Sequence, residues 1–482
     1  MGLYMTMHDC CAIETNKPNG RYDLAVIGAG SAGFSAAITA AELGAHVALI
    51  GHGTIGGTCV NIGCVPSKTL IRATETLHHA ETAARFAGIR AEGRIADWRA
   101  VVRQKDELVS SLRQAKYVDL LPSYNTLAYL EGQARLVDGG VAIDGRLVKA
   151  AKIVVATGAA PALPPIPGIE AVPYLTSTTA LELERLPKSL LVIGGGYIGC
   201  ELGQMFARAG VKVTIAFRTR LLPEAEPEIG EALTRYFRDE SIVVRGGLTY
   251  RDIRQGPDGV TLSVLAGGAA ESIEAEQVLV TTGRQPNTKS LGLAAAGVEL
   301  LANGGIKVDD RMRTSKPGVY AAGDVTGRDQ FVYMAAYGAR IAAANALNGD
   351  SQRYDAAAMP AVVFTDPQVA SVGLTEAKAR RQGFEVKTSA LPLEYVPRAL
   401  AARDTRGLIK LVAEAKSGKL LGAHILAPEG ADSIQTAALA IKCGLTVGQL
   451  AETIFPYLTT VEGLKLAAQT FNKDVTKLSC CA

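Results

Sequence analysis

Two copies of a strand–glycine turn–helix–strand unit, each followed by a short apolar strand ending in Thr-Gly, predict an α/β fold. A C-terminal stretch with strand and helix patterns but no glycine turn completes the chain. The expected architecture is two Rossmann-like dinucleotide-binding domains plus an α+β dimerisation domain. In the first copy the apolar run at 22–27 leads into Gly28-Ala29-Gly30-Ser31-Ala32-Gly33, a helix of small residues and a strand at 46–50. The second runs from a strand at 190–193 through Gly194-Gly195-Gly196-Tyr197-Ile198-Gly199 and a helix to a strand at 211–216. The closing strands end in Thr157-Gly158 and Thr282-Gly283. A lone glycine turn before a helix is often only structural, so the duplication is the stronger signal.

These landmarks divide the chain. Residues 1–20 read as a polar leader. Residues 21–158 and 283–353 form the two parts of a first nucleotide domain, and 159–282 form a second. The Pro-rich stretch 161–167 reads as a rigid linker. From 354 to 482, strand-like runs at 361–364, 408–412 and 420–425 alternate with helical ones at 433–442 and 463–470, the pattern expected of the dimerisation domain.

Composition narrows the function. Of 482 residues, 48% are hydrophobic and 20% charged, with a net charge of +3 and six scattered His, which suits several globular domains rather than a nucleic-acid binder. No polybasic block addresses a membrane. Residues 24–50 are apolar enough to imitate a span, but Gly28, Gly30, Gly33 and Gly44 make them strand, turn and helix. The first residues, with Asp9 and Glu14, lack the pattern of a secretory signal. Eight Cys are too sparse for a disulfide-stapled scaffold, so a cytoplasmic setting is expected.

Small residues in the first turn let backbone approach a pyrophosphate at a helix N-terminus. The second strand of that copy ends in Gly51-His52, where a ribose-binding carboxylate is usual. The second copy also lacks a carboxylate there and offers Arg218 and Arg220, suited to a 2′-phosphate and hence to NADPH; the alternative is two solvated loop charges. The most specific segment is Gly56-Gly57-Thr58-Cys59-Val60-Asn61-Ile62-Gly63-Cys64-Val65-Pro66-Ser67-Lys68. Cys59 and Cys64 are spaced to close a disulfide. Pro66 suits a first helical turn, which places Cys64 at a helix N-terminus, where a thiol loses its proton more readily.

This segment closely resembles the redox-active motif of the flavin disulfide reductases, a resemblance that runs from about Tyr22 to the C-terminus. It includes Gly283-Arg284-Gln285-Pro286-Asn287 and Tyr320-Ala321-Ala322-Gly323-Asp324. The resemblance implies FAD on the first nucleotide domain, held by Gly28, Gly30, Gly33, Gly57, Thr58, Thr157, Gly158, Gly323 and Asp324. It implies NADPH on the second, held by Gly194, Gly196, Gly199, Arg218, Arg220 and Gly283. Cys64 becomes the charge-transfer thiol and Cys59 the interchange thiol. Lys68 pairs with Glu201 near the flavin, and Tyr197 gates the nicotinamide side.

Disulfide-reducing members carry a His-Pro pair near the C-terminus, whose His serves as acid–base for the dithiol product. Here the pair is Phe455-Pro456, and no His follows His424. The chain ends in Cys480-Cys481-Ala482. Adjacent Cα atoms lie about 3.8 Å apart, short of the roughly 4.4–6.8 Å of an unstrained disulfide. Such a pair suits two-thiolate capture of a soft metal ion; an incidental Cys pair on a frayed tail is the bland alternative. With Tyr457-Leu458 and Phe471-Asn472-Lys473-Asp474, this C-terminus resembles that of the mercuric reductases. That implies a homodimer in which Cys480, Cys481 and Tyr457 of one subunit serve Cys59 and Cys64 of the other, with small-thiol complexes of Hg(II) as substrate. Cys10-Cys11 reads equally as a mercury-collecting pair or a silent leader, and Cys200 and Cys443 as buried, inert thiols. The competing expectations are a disulfide reductase using the tail as a third redox pair, and a metal-sequestering binder with a vestigial flavin site.

Overall fold

The computed structural model describes residues 20–477, which form two compact units. The first unit comprises residues 20–66, Gln104–Pro161 and Arg284–Asp355. Its chain begins with β1 (Tyr22–Ile27), α1 (Ser31–Glu42) and β2 (Val47–Gly51), then α2 (Gly57–Ile62) and α3 (Cys64–Glu81). After a helix at Trp98–Arg113 come β3 (Leu127–Glu131), β4 (Ala134–Val137), β5 (Gly140–Ile143) and β6 (Arg146–Val155). The sheet order is β3-β2-β1-β6-β5-β4, and Val319–Ala321 also pairs with β6. β3, β2, β1 and β6 run parallel, while β4, β5 and β6 form an antiparallel meander.

The parallel strands are apolar along their length because both faces are covered. Leu24, Ala25, Val26 and all of β2 are buried. On one face α1 and the helix Val332–Asn348 pack closely through Ala36, Ala37, Ala40, Ala339 and Ala343. On the other, Leu136 and Val141 of the meander join Leu291, Leu293 and Ile306. The apolar stretch 24–50 is thus two strands and a helix, and among the described residues no helix is long and apolar enough to cross a membrane.

The second unit comprises Ser67–Arg103, Ala162–Gly283 and, among the described residues, 356–477. It repeats the parallel arrangement in the order Val243–Arg245, Lys212–Ala216, Ser189–Ile193, Gln277–Val280, Tyr174–Leu175. A three-stranded meander at Leu248–Gly256, Gly259–Ala266 and Ala269–Ala275 accompanies it. A five-stranded antiparallel sheet, in the order Pro360–Val363, Gln368–Gly373, Leu420–Ala427, Leu408–Glu414, Val386–Pro392, carries helices Gly430–Lys442 and Glu462–Gln469.

The compact units are cut differently from the expected domains: 162–283 and 356–477, expected as a nucleotide domain and a dimerisation domain, fall in one unit, and 67–103 joins them. Residues 67–103 were expected within the first nucleotide domain, but they pack with the second unit. Leu70, Trp98 and Val102 share a core with Leu202 and Phe206, and Trp98 Nε1 donates to Leu183 O at 2.7 Å. Contiguity in sequence hid this, because the apolar face of α3 does not declare which partner buries it.

A buried charge network also lies in this unit. Arg208 Nη2 sits 2.7 Å from Glu240 and 2.9 Å from Asp366, while Arg406 Nη2 sits 2.8 Å from Asp404 and 3.3 Å from Asp366. His78 Nε2 lies 3.9 Å from both Glu240 and Asp366. Burial, then Arg208, holds the His78 imidazole below its ordinary value against the pull of those carboxylates. Burial pushes the Asp366 and Asp404 carboxyls up, but Arg406, with Arg208 at Asp366, outweighs it and keeps both low. All three groups therefore bind protons more weakly folded than unfolded. Their contributions are present above the unfolded values, about 6.5 for His and about 3.9 for Asp, and are lost as pH falls through the folded ones. The urea midpoint is expected to fall as pH drops from 7 towards 4, and His78→Gln should flatten the first part of that decline. A midpoint unchanged across this range would contradict the assignment.

Candidate functional site

In the first unit the C-terminal ends of the parallel strands converge on the first glycine turn, the place where such sheets bind ligands. Gly28 has φ +114°, and a Cβ there would meet Ala156 O at 2.3 Å. A Cβ on Gly33 would meet Gly28 O at 1.6 Å. Gly30 is the N-cap of α1 and offers no capping side chain, so the helix N-terminus is open to a phosphate. Thr157 and Asn287 exchange hydrogen bonds, Thr157 Oγ1 to Asn287 O at 2.8 Å and Asn287 Nδ2 to Thr157 O at 2.9 Å. Gly158 O accepts from Asn287 N at 3.0 Å. Gly323 and Asp324 open a short 3-10 turn, with Arg284 Nε 3.6 Å from the Asp324 carboxylate. Burial pushes that carboxyl up and Arg284 opposes it.

The dithiol segment is locked onto this turn. Gly56 N donates to Ala29 O at 2.8 Å. Gly57 has φ +66°, and a Cβ on it would come within 2.6 Å of Gly30 Cα. Asn61 Nδ2 donates to Ile55 O and Gly57 O, both at 2.9 Å, which ties α2, with Thr58 and Cys59, to its own entry loop. α3 begins at Cys64, as expected from Pro66, and continues for 18 residues, setting Cys64 at the positive end of a long helix. Cys59 is half-buried and Cys64 exposed.

A residue that sequence reasoning missed lies within electrostatic reach of both thiols. Tyr117 lies in the π-helical turn Gln114–Val118, its hydroxyl 3.3 Å from Ser31 Oγ and its ring edge-on to Phe34 at 4.9 Å. Burial pushes its phenol up, the Ser31 hydrogen bond opposes this, and negative charge at Cys59 and Cys64 adds to it. Tyr117 thus touches the first turn of α1 through Ser31 and lies against Gly56, at the entry to the dithiol segment. Its neighbours Gln114-Ala115-Lys116 form no motif, so only folding reveals it.

The second glycine turn is built like the first. Gly194 has φ +123°, and a Cβ there would meet Thr281 O at 2.6 Å, while a Cβ on Gly199 would meet Gly194 O at 2.1 Å. Gly196 is an N-cap without a capping side chain, Tyr197 opens the helix, and Gly283 has φ +123°. Burial, then Glu224 and Cys200, pushes the Tyr197 phenol up. One turn on, Glu201 is buried, its Oε2 accepting from Lys68 Nζ at 2.6 Å and its Oε1 from Phe364 N at 2.9 Å. Lys68 Nζ also lies 4.9 Å from the Phe364 ring centroid. The Lys68–Glu201 pairing expected from the resemblance is therefore present. The two arginines diverge. Arg218 is exposed, whereas Arg220 Nη2 donates to Pro223 O at 2.7 Å and Ala225 O at 2.6 Å, clamping its own loop.

In the C-terminal part Phe455 packs against the antiparallel-sheet core, while Ile454 is 95% exposed and Tyr457 and Leu458 about half so. Leu458 N donates to the buried Glu462 at 3.2 Å. His424 is buried on its strand with Nε2 3.1 Å from Leu374 O. Cys200 is buried as expected, which pushes its thiol well up, whereas Cys443, also expected to be buried, is exposed as the residue that ends the helix Gly430–Lys442. Cys10, Cys11, Cys480 and Cys481 lie outside the described residues.

Two open helix N-termini on duplicated glycine turns, one joined to a dithiol segment, define a flavin- and pyridine nucleotide-dependent oxidoreductase. The family model for the pyridine nucleotide-disulphide oxidoreductases matches residues 22–343, and that for their dimerisation domain matches 359–468. The chain belongs to this family. Mercuric reductase from Lysinibacillus sphaericus is 50% identical over 96% of this chain and 84% of its own length. Mercuric reductase from Streptomyces lividans is 47% identical over 96% of this chain and 98% of its own. The HOCl-induced flavoprotein disulfide reductase RclA from Escherichia coli, in its Cu(II) complex, is 31% identical with a TM-score of 0.82, covering 93% of this chain and 99% of that one. Within the family the chain groups with the mercuric reductases. Its cofactors are FAD and NADPH, and the glycine cradles above, which a single Cβ would fill, fit both nucleotides.

The Lys68–Glu201 pair gives a direct test. Removing one partner strands a buried charge, so Lys68→Met should destabilise by about 2–3 kcal/mol, allowing for the partial exposure of the lysine. The double variant Lys68→Met with Glu201→Gln should recover most of that loss in urea unfolding. Equal losses in the single and double variants would contradict the pairing.

Proposed function

We propose that this chain is an NADPH-dependent mercuric reductase that converts thiol-bound Hg(II) to Hg(0). Written for a bis-thiolate, Hg(SR)2, NADPH and a proton give Hg(0), NADP+ and two RSH. FAD, when bound, supplies the two-electron link between nicotinamide and metal.

The observation that carries this reading is a dithiol locked onto a nucleotide turn in a chain whose C-terminal domain offers no solvent-facing imidazole. Phe455 stands where an acid–base His would, and the domain's one histidine, His424, is buried. A disulfide substrate needs a proton for the thiolate that leaves as its S–S bond breaks, whereas the thiols of Hg(SR)2 leave by ligand exchange onto Cys59 and Cys64 and take their protons from solvent. Cys59 and Cys64 present two sulfur ligands to the metal. The helix dipole at Cys64 favours its thiolate, and Tyr117 sits within electrostatic reach of both sulfurs. Lys68 lies one turn along α3 from Cys64 and holds a fixed positive charge through Glu201. Tyr197 gates the nicotinamide, and Arg218 is the outward-facing cation for the 2′-phosphate, since Arg220 is engaged in its loop.

The assembly we propose is a homodimer in which Cys480, Cys481 and Tyr457 of one subunit deliver Hg(II) from small-thiol complexes to Cys59 and Cys64 of the other. The exposed Ile454, Tyr457 and Leu458 offer an apolar surface for such an association. Reduced working thiols point to the cytoplasm.

The test uses NADPH and Hg(II) in excess small thiol. The unmodified protein should lose NADPH in step with mercury vapour and ignore oxidised glutathione and lipoamide. Cys480→Ala with Cys481→Ala should slow that turnover while NADPH still reduces the bound flavin. NADPH loss with disulfide turnover and no vapour would replace this reading with a disulfide reductase, and an unslowed double variant would end the relay.

A further inference from the structure

The first nucleotide turn lacks the carboxylate that normally closes on a ribose. Gly51, the last residue of β2, stands where the second strand of such a fold presents that group. The space beside it is filled. A Cβ on Gly51 would lie 2.4 Å from Tyr129 Oη and 2.9 Å from Ala29 Cβ, so the phenol hydroxyl occupies the place a side chain at 51 would take.

Tyr129 comes from β3, the next strand over, which pairs in parallel register with Leu49↔Tyr129 and Gly51↔Glu131. Residues two apart on a strand share a face, so Tyr129 and Glu131 project together at the strand end. Their proximity is felt electrostatically: burial first, then the Glu131 carboxylate, pushes the Tyr129 phenol up. The Tyr129 hydroxyl makes no side-chain hydrogen bond among the described residues. A half-buried hydroxyl without an internal partner, at the ligand end of a parallel sheet and against the Gly28–Gly33 turn, is placed to meet a polar ligand.

We propose that the adenosine ribose contact of FAD has moved one strand, from position 51 to the Tyr129 hydroxyl with the Glu131 carboxylate beside it. A phenol both donates and accepts, and a carboxylate accepts, so together they match a ribose diol. The reading also explains why position 51 is glycine, since any side chain there collides with Tyr129. It rests on FAD occupying the first turn and is independent of which metal or disulfide is reduced.

The test is flavin affinity, read by fluorescence quenching in the full chain stripped of flavin. Tyr129→Phe should raise the Kd for FAD about 5- to 20-fold, the loss of one hydrogen bond, and leave the Kd for FMN, which has no adenosine ribose, unchanged. Gly51→Glu should weaken FAD binding through the collision. An unchanged FAD affinity in Tyr129→Phe, or equal losses for FAD and FMN, would overturn the proposal. Failure of FAD to bind the unmodified chain would instead remove the cofactor assignment beneath it.

Discussion

The structure depends on backbone touching backbone at the ends of parallel strands. Gly28 lies against Ala156, Gly33 against Gly28, and Gly57 against Gly30, each so closely that a methyl group would intrude. The first two contacts shape an anion site, because they bring the N-terminus of α1 up to the sheet with its N–H groups uncapped. The third joins that site to the dithiol. Gly57 is both the first residue of α2 and the neighbour of Gly30, so Cys59 is carried on an element whose position is set by the nucleotide turn. Electron exchange between flavin and sulfur needs a fixed geometry, and here backbone packing supplies it.

Charge is arranged on that frame. Cys64 opens α3, and four residues on, Lys68 is held by a carboxylate whose other oxygen is fixed by a backbone amide. Cys64 thus sits at a helix terminus, which favours an ionised sulfur. Tyr117 adds a phenol within reach of both thiols. In the C-terminal domain Phe455 packs against the sheet core, and His424 is buried.

Much of this was legible in the residues. The two glycine turns, the closing Thr-Gly strands and the start of α3 at Cys64 all follow from local rules: glycine where φ is positive, proline in a first helical turn, apolar runs where both sheet faces are covered. The Lys68–Glu201 pair followed only from family resemblance, since 133 residues separate its partners. What stayed hidden depends on long-range packing. Tyr117 and Tyr129 sit in unremarkable segments and matter for what folds against them. The placement of 67–103 with the second unit depends on which core buries Leu70 and Trp98. Arg218 and Arg220 read alike in sequence, and only the loop carbonyls at Pro223 and Ala225 separate them.

The claim that flavin and dithiol are held as one unit by the Gly30–Gly57 contact is tested most directly by the long-wavelength thiolate-to-flavin absorption band of the two-electron-reduced protein. The unmodified chain should show the band on titration with one equivalent of NADPH. Gly57→Ala should lose it, either by failing to retain FAD or by retaining FAD while both thiols remain titratable. A Gly57→Ala protein that keeps its flavin and shows the full band would contradict the account.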